Sequence, residues 1–354
     1  MKPLEGKRVL VTGGTGSLGR LLIRRLLAAE MGTPTKVIVF SRDETKQHAM
    51  QSEYGNRWFA APDIVFDNAR RLLSWRVGDI RQPDSVAAAL READVVINAA
   101  AMKQVPTCEY FAYEAVRTNI EGAENIVRAI ETLGLPVEVV VGVSTDKACK
   151  PVNTMGMTKA VQERLFIHAN LRCPGTRFVC VRYGNVLAAR GSIVPLFHEQ
   201  IRQGGPVTIT SPEMTRFLLR LDDAVDTVFT AIRDARRGDT LVPRAPSARV
   251  VDLAAALIGE RPVKTVITGV RPGEKIHEIM VSEEETYRTV ERGGKWYAIL
   301  PVIPELRGEE AVTGTLKEEY SSRDGLMTLK QTRQLLTESQ LLVEDAASGS
   351  APAV

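Results

Sequence analysis

The chain has 354 residues, of which 44% are hydrophobic and 25% charged, and its formal net charge at pH 7 is +3. So small a net charge, with basic residues dispersed among acids, argues against a nucleic-acid-binding protein. No apolar run approaches the roughly 20 residues that span a membrane, and the N-terminus lacks the apolar core of a signal peptide. We therefore expect a cytoplasmic protein with no membrane segment.

Neither the cysteines nor the histidines have the spacing of a metal site. No C-x-x-C pair occurs among Cys108, Cys149, Cys173 and Cys180, and no H-E-x-x-H occurs among His48, His168, His198 and His277. We therefore expect no structural metal and reduced thiols.

The first half of the chain alternates apolar strand patterns with amphipathic helical patterns. Strands are predicted over Arg8–Thr12, Lys36–Phe40, Trp75–Asp79, Ala93–Asn98, Val137–Val143 and Phe178–Val181, and the first helix over Leu18–Ala29. Runs of Val and Ile are typical of parallel strands buried on both faces, and strand–helix alternation implies right-handed crossovers. The sequence predicts an α/β fold, a Rossmann-type doubly wound parallel sheet.

The alternation weakens after about residue 186, where glycine and proline punctuate shorter elements. We predict a first domain over 1–186 and 222–244, and a smaller discontinuous lobe over 187–221 and 245–340 that folds over the C-terminal edge of the sheet. The segment 341–354, rich in Ala, Ser, Gly and Pro, is predicted to be disordered.

A glycine-rich turn follows the first predicted strand and leads into a helix. It reads Gly13-Gly14-Thr15-Gly16-Ser17-Leu18-Gly19. Glycines at this spacing let the backbone approach a pyrophosphate at the helix N-terminus. Because the strand–turn–helix context is the one this motif requires, we predict a dinucleotide site.

The end of the second predicted strand indicates which dinucleotide binds. An acidic residue there would bind the ribose 2′-hydroxyl of NAD, whereas this chain has Ser41-Arg42, followed by Asp43. Arginine can bind a 2′-phosphate, so we predict NADP; a surface salt bridge from Arg42 is the alternative. Asp79 and Ile80 follow the third strand, where the aspartate could contact the adenine amino group.

Two further positions follow later strands. Ala99 and Ala100 follow the fourth strand, where small residues would let the cofactor lie close. Ser144-Thr145-Asp146-Lys147 follows the fifth, at the edge where ligands bind in such folds. An exposed Asp146–Lys147 ion pair is the alternative interpretation.

Met155 and Lys159, four residues apart, face the same side of a predicted helix. This arrangement resembles the extended short-chain dehydrogenase/reductase family, whose usual pair is Tyr-x-x-x-Lys. Lys159 matches the family lysine, which holds the nicotinamide ribose. Met155 occupies the tyrosine position and cannot accept a proton.

Further segments narrow the resemblance to the inverting UDP-N-acetylglucosamine 4,6-dehydratases. They are Ser144–Lys147, Arg182–Val186, Arg190–Ser192, Met214–Phe217 and Arg271–Lys275. Met155 and Pro106–Glu109 are similar to the capsule-type branch, which also has methionine for tyrosine. The resemblance spans about residues 5–300, with residues 56–74 as an insertion before the third strand and the segment beyond about 305 unmatched.

The resemblance implies a redox-neutral reaction on a nucleotide sugar. NADP⁺ takes hydride from C4, Lys147 removes the C5 proton, Asp146 protonates the departing 6-hydroxyl, and hydride returns to C6, with inversion at C5. Without a tyrosine, we expect Thr145 and Lys159 to relay the C4-hydroxyl proton through water. Cys108 is placed on the same sheet edge, as a proton donor, a contact to the C4 hydroxyl, or a buried structural cysteine.

The resemblance also implies an NADP-binding first domain and a substrate-binding lobe. The substrate residues it implies are Lys103, Tyr183, Asn185, Arg190, Ser192, Arg216, Arg271, Glu274 and Lys275, whose arginines suit bidentate phosphate recognition. A homo-oligomer is expected, because members of this group form hexamers.

Two other functions remain open at this stage. An epimerase on the same scaffold would act at C4 or C5 without losing water, and the Asp146–Lys147 pair favours the dehydratase over it. A non-catalytic NADP-binding protein would explain Met155, but retention of Asp146, Lys147 and Lys159 argues against it.

Overall fold

A computed structural model of the chain describes residues 2–56, 63–189, 191–307 and 314–343. Within these ranges, no helix is both long and apolar enough to cross a bilayer. Contacts divide the chain into two compact units. Of the described residues, the first unit comprises those within 2–184, 221–244 and 279–320, and the second comprises those within 185–220, 245–278 and 321–343.

The strands of the described residues are numbered in chain order. They are β1 (Arg8–Thr12), β2 (Lys36–Ser41), β3 (Leu73–Val77), β4 (Val95–Asn98), β5 (Val139–Thr145), β6 (Arg177–Tyr183), β7 (Asn185–Val186), β8 (Val207–Ile209), β9 (Thr215–Leu219), β10 (Thr240–Pro243), β11 (Ser247–Arg249), β12 (Thr265–Ile267), β13 (Ile279–Val281), β14 (Thr289–Arg292), β15 (Trp296–Ile299) and β16 (Tyr320–Ser321).

The α-helices are numbered in the same way. They are α1 (Ser17–Leu27), α2 (Glu44–Gly55), α3 (Asp63–Leu72), α4 (Pro83–Leu90), α5 (Val105–Tyr110), α6 (Ala112–Ala115), α7 (Gly122–Leu133), α8 (Thr154–Arg172), α9 (Ile193–Arg202), α10 (Leu221–Asp234), α11 (Val250–Ile258), α12 (Glu283–Thr286), α13 (Pro304–Arg307) and α14 (Leu329–Glu338). A π-helical turn covers Val116–Glu121 and a 3₁₀ turn covers Asp146–Ala148.

The first unit is built on one large sheet with the order β14-β15-β10-β6-β5-β4-β1-β2-β3. All pairs from β3 through to β10 are parallel, and β15 and β14 continue the sheet as antiparallel strands. This is the predicted Rossmann-type sheet, with its carboxyl ends along one edge. From β1 the chain adds β2 and β3 on one side of the sheet and then β4, β5 and β6 on the other. This reversal of strand order opens the crevice in which such sheets bind ligands.

Apolar strands and helix faces fill the core of this unit. Every residue of β4 is buried, and Phe166 of α8 stacks on Phe178 of β6 with ring centroids 6.1 Å apart. Gly142 of β5 makes room for this pair, because a Cβ there would lie 2.4 Å from the Phe166 ring. The core therefore presses α8 directly onto β5, the strand that ends at Thr145.

The second unit has its own core and small sheets. β9 pairs with β11 and β7, while β8 pairs with β12. Its buried cluster brings together α9, α11 and α14, including Phe197, Leu253 and Leu336.

The expected domain boundaries are wrong for residues 279–320, which were assigned to the lobe. This segment belongs to the first unit. The physical reason is backbone pairing, because β15 runs antiparallel to β10 from Thr240–Ile299 to Pro243–Trp296 and β14 pairs with β15.

Two smaller expectations also change. The third strand begins at Leu73 rather than Trp75, and much of the predicted insertion 56–74 is α3, whose Asn68 side chain donates to the Leu27 carbonyl at 2.7 Å. Residues 57–62 of that insertion and 344–354 of the predicted tail lie outside the described residues. The tail expectation is wrong for 341–343, since His198 Nε2 contacts the Leu341 carbonyl at 2.8 Å and all three side chains pack on the second core.

Candidate active site

The glycine-rich turn between β1 and α1 is shaped by close backbone contacts. Gly13 has φ +65°, and a Cβ there would lie 2.9 Å from the backbone of Ala99 and Ala100. A Cβ on Gly19 would lie 2.6 Å from the Gly13 carbonyl oxygen. Gly16 is the N-cap residue of α1 and has no side chain that could occupy the helix N-terminus. The first turn includes Ser17 and Leu18 and has no acidic residue. The helix N-terminus thus offers backbone N–H donors to an anion, and the residues fit a dinucleotide pyrophosphate.

Thr15 connects this turn to the end of β2. Its Oγ1 lies 3.0 Å from Ser41 Oγ, and both side chains are buried. Arg42 is exposed next to Ser41. The Asp43 carboxylate is used locally, because it caps α2 by accepting from the Lys46 backbone N–H at 2.9 Å and pairs with the Lys46 side chain. The hydrogen bonds to Lys46 lower the pKa of Asp43, and the positive charge of Arg42 adds to the same shift.

The ends of β3 and β4 complete the cofactor side. The Asp79 carboxylate accepts two parallel hydrogen bonds from Arg81, at 3.0 and 2.6 Å. Burial alone would raise the pKa of Asp79, but Arg81 outweighs it and lowers that pKa. The next residue, Ile80, is buried, and the Ile80 carbonyl accepts a hydrogen bond from the Asn125 side chain at 3.0 Å. The backbone of Ala99 and Ala100 lies against Gly13, so this contact requires glycine at position 13. That the small side chains of Ala99 and Ala100 let the cofactor lie close stays a prediction.

The 3₁₀ turn after β5 holds the predicted acid and base. Asp146 Oδ1 accepts hydrogen bonds from Thr145 Oγ1 at 2.9 Å and from Lys147 Nζ at 3.0 Å. The Asp146 side chain is 0% exposed and that of Lys147 21% exposed. Asp146 Oδ2 is buried with no hydrogen-bond partner among the described residues. A fully buried carboxyl excludes the alternative of an exposed ion pair.

Met155 and Lys159 lie on α8, as the i, i+4 spacing predicts, and both are buried. Asn153 caps the helix by accepting from the Gly156 N–H at 2.8 Å. Lys159 Nζ donates to Gln162 Oε1 at 2.6 Å, and Gln162 in turn donates to the Val143 carbonyl of β5. Burial lowers the pKa of Lys159 to about 8.

Cys108 belongs to a small apolar cluster with Ala115 and Met155, against which Met102 and Val105 pack. Its thiol is fully buried, and burial together with the charge of Glu109 raises its pKa. A thiol with a raised pKa is a poor proton acceptor at neutral pH. The structure thus places Cys108 beside Met155 in a setting suited to packing. Lys103 is exposed in the preceding loop.

Four predicted substrate residues have buried polar groups in their side chains. Tyr183, at the end of β6, is buried, which raises the pKa of its hydroxyl. In the second unit, Asn185 Oδ1, Ser192 Oγ and Glu274 Oε2 are buried with no hydrogen-bond partner among the described residues. Buried polar atoms in folded proteins are nearly always paired, so such atoms are candidates for ligand contacts.

The predicted phosphate-binding arginines differ from one another. Arg216 is buried and donates to the Thr215 and Ile276 carbonyls at 2.7 and 3.2 Å. Arg216 therefore fixes the backbone at Ile276, directly after the segment Arg271–Lys275. Within that segment Arg271 is exposed and Lys275 is half-buried. Arg190 lies outside the described residues.

Two residues with a clear role in shaping the site were missed from the sequence. Gly156 lies against the 3₁₀ turn at Asp146–Ala148, because a Cβ there would be 2.2 Å from the Lys147 carbonyl oxygen. Asn119, in the π-helical turn, accepts from the Met102 N–H at 2.9 Å and donates to Thr158 Oγ1 of α8 at 2.9 Å. The sequence did contain a signal for Gly156, because a glycine inside a predicted helix indicates a close contact. No sequence pattern indicates a π-helical turn, so Asn119 could not have been identified in this way.

The parallel sheet, the glycine-rich turn and a buried lysine on the helix after β5 define a short-chain dehydrogenase/reductase of the extended type. The family model for polysaccharide biosynthesis proteins matches residues 9–299, so the chain belongs to that family. Within the described residues, no group of three or more His, Cys, Asp or Glu side chains could hold a metal ion.

Individual relatives carry two different names. A UDP-glucose 4-epimerase of Rickettsia prowazekii is 40% identical over 341 residues, 93% of this chain and 95% of that protein. An inverting UDP-N-acetylglucosamine 4,6-dehydratase of Campylobacter jejuni is 41% identical over 302 residues, 84% of each chain. The X-ray structure of Pen from Bacillus thuringiensis is 32% identical and has a TM-score of 0.84, covering 96% of this chain and 99% of that one.

Proposed function

We propose that this protein is an NADP-dependent lyase, a 4,6-dehydratase of UDP-N-acetylglucosamine that inverts C5. The observation that carries the proposal is the Asp146–Lys147 pair at the carboxyl end of β5, with one buried carboxyl oxygen that lacks a partner among the described residues. The named activity of the Campylobacter relative supports the same reaction class. An epimerase that only reverses C4 has no use for an acid at the 6-hydroxyl.

The adjacent acid and base suit an elimination across C5 and C6. In the neutral form of the pair, the amine of Lys147 can remove the C5 proton of a 4-keto sugar while Asp146 donates its proton to the departing 6-hydroxyl. The Oδ1 atom is already engaged by Thr145 and Lys147, which leaves Oδ2 as the atom that can donate. Water leaves with the proton of Asp146, and the C5 proton is on Lys147, so the protons balance.

A nicotinamide dinucleotide, when bound, supplies the oxidation at C4 and the matching reduction at C6. The residues that would hold it are the Gly13–Gly19 turn, Ser41 and Arg42, Asp79 and Ile80, Ala99 and Ala100, and Lys159. Arg42 beside the Thr15–Ser41 pair favours a 2′-phosphate, hence NADP.

The C4-hydroxyl proton needs an acceptor other than Met155. Thr145 Oγ1 is hydrogen-bonded to Asp146, and Lys159 has a pKa lowered by burial to about 8, so a neutral amine is accessible near neutral pH. We infer that these two groups relay the proton through water. The raised pKa of Cys108 makes it the weaker candidate.

We infer that the nucleotide diphosphate and sugar contact Lys103, Tyr183, Asn185, Arg190, Ser192, Arg216, Arg271, Glu274 and Lys275. The unpartnered buried oxygens of Asn185, Ser192 and Glu274 support this set. The location in the cytoplasm and the homo-oligomer stay predictions.

The test is incubation of the purified protein with UDP-N-acetylglucosamine and NADP⁺, followed by mass spectrometry of the nucleotide sugar. We expect a product lighter by one water molecule. An isomer of unchanged mass would instead establish an epimerase, which the Rickettsia relatives favour. Unconverted substrate would leave a non-catalytic NADP-binding protein. Asp146→Asn is the control, and it should form no dehydrated product.

A further inference from the structure

We propose that Arg182 is a positioning residue that fixes the Thr145–Asp146–Lys147 turn through two buried glutamates, Glu163 and Glu285. The inference rests on the proposed function of that turn and adds residues that contact neither the substrate nor the cofactor in that proposal. All of these residues belong to the first compact unit.

Every N–H of the Arg182 guanidinium has an acceptor. Nε and one terminal nitrogen donate to the two Glu163 carboxylate oxygens, at 3.0 and 2.6 Å. The two terminal nitrogens donate to the Glu285 carboxylate, at 2.7 and 3.0 Å, and one also donates to the Met280 carbonyl at 2.8 Å. A planar fork with five donors suits two carboxylates at once, and lysine could not reproduce it.

The two glutamates hold opposite ends of the turn. Ser144, the residue before Thr145, donates through Oγ to Glu163 Oε1 at 2.5 Å. Cys149, just after the turn, donates through its thiol to Glu285 Oε2 at 3.8 Å, within the range for sulfur. The acid and base therefore lie between two anchors that meet at one guanidinium.

The network also includes the helix that holds Lys159. Glu163 is on α8, one turn beyond Lys159, so Arg182 links the catalytic turn to that helix. Ser144, Glu163 and Arg182 are all buried, and Arg288 adds a second contact to Glu285 at 3.3 Å. Burial alone would raise the pKa of Glu285, but Arg182 and Arg288 hold it at about 2, so the glutamate stays charged.

Net stability is an insufficient reason for such a cluster, because apolar residues of similar volume often stabilise a fold as well as a buried ion pair. A buried network with directional bonds does fix geometry, and a catalytic group displaced by about 1 Å can lose roughly 100-fold in rate. The geometry of this cluster accordingly points to orientation of the turn.

The test compares three variants of the full-length protein. Arg182→Lys keeps the charge and loses the fork. The double variant Arg182→Met with Glu163→Met removes a neutral pair and leaves Glu285 with Arg288. The matched control is Arg172→Met, which removes a different bidentate arginine, at the end of α8, paired with Glu124 and Glu131 away from the turn.

Two readouts are needed, and one does not depend on activity. The four cysteines are all buried and free, so iodoacetamide labelling followed by peptide mapping reports local opening at each of them. We expect the Arg182 variants to label Cys149 at least about tenfold faster while Cys108 and Cys173 stay protected, because a local opening exposes only its own segment. We also expect kcat to fall about 100-fold with little change in KM, and Arg172→Met to match the wild type in kcat and in Cys149 labelling.

Unchanged kcat or unchanged Cys149 labelling in both Arg182 variants would overturn the inference. So would equal exposure of all four cysteines, which would mean that the network supports the whole fold rather than the turn. If the wild-type protein forms no product, the proposed function fails, but selective labelling of Cys149 would still support the connection from Arg182 to the turn.

Discussion

Gly156 and Lys147 are in direct backbone contact, since a Cβ built on Gly156 would lie 2.2 Å from the Lys147 carbonyl oxygen. The first turn of α8 thus packs on the 3₁₀ turn that holds the proposed acid and base. Lys159 lies about one turn further along the same helix and is also buried.

We predict that Gly156→Ala lowers activity although alanine is the better helix former by about 1 kcal/mol. The methyl group must push the turn away, so we expect kcat to fall about 10- to 100-fold and the free energy of unfolding to fall about 1–3 kcal/mol. Gly175→Ala is the control, because a Cβ there meets no atom within 4 Å. Wild-type kcat in the Gly156 variant would show that the contact does not position the turn.

Arg42 should decide the cofactor preference. Arg42→Ala should weaken NADPH binding by about 1.5–3 kcal/mol, as loss of a charged hydrogen bond does, and leave NADH binding nearly unchanged. Titration of the apo protein followed by cofactor fluorescence measures both affinities. Equal weakening of the two would mean that Arg42 does not recognise the 2′-phosphate.

Thr145→Val tests the proton relay in place of the missing tyrosine. The variant keeps the shape of the side chain but loses the hydroxyl that donates to Asp146 Oδ1 at 2.9 Å. We expect oxidation at C4 to slow by about 100-fold, a typical contribution of proton transfer, seen as slower NADPH appearance in a single turnover. Oxidation at the wild-type rate would exclude Thr145 from the relay.

The pKa of Lys159 predicts a pH dependence of stability. Burial lowers this pKa from 10.5 to about 8, so between these two pH values the unfolded chain binds more protons than the folded one. The free energy of unfolding of the apo protein should therefore gain about 3 kcal/mol from this group as pH rises through that window, and none below pH 8. Denaturant titrations of wild type and Lys159→Met should show this rise only in the wild type; parallel curves would contradict the buried, lowered pKa.

Local sequence patterns predicted much of the first unit. Continuous Val and Ile runs identified the parallel strands, and the spacing of Met155 and Lys159 correctly placed both on one buried helix. The assignment of 279–320 failed because β14 and β15 join the sheet through pairing with β10, a long-range contact that no local pattern contains. The start of β3 was missed because Leu73 and Ser74 follow α3 with no intervening turn residue.

The sequence predicted the reacting residues of the candidate site more completely than the buried residues that hold them in position. Asp146 and Lys147 could be placed from the order of strand and motif. The partners of Arg182 could not be predicted, because Glu163 and Glu285 are 19 and 103 residues away in sequence and belong to no motif that marks them as its partners. Only folding brings them to one guanidinium.

The fate of the C5 proton tests the account most directly. In D₂O, the wild-type protein should convert UDP-N-acetylglucosamine to a product that has lost one water molecule and carries deuterium at C5, because Lys147 removes the original proton. Lys147→Ala should retain cofactor binding and form no dehydrated product. The central claim would be contradicted by a wild-type product that keeps its mass, or by a Lys147 variant that exchanges C5 as fast as the wild type.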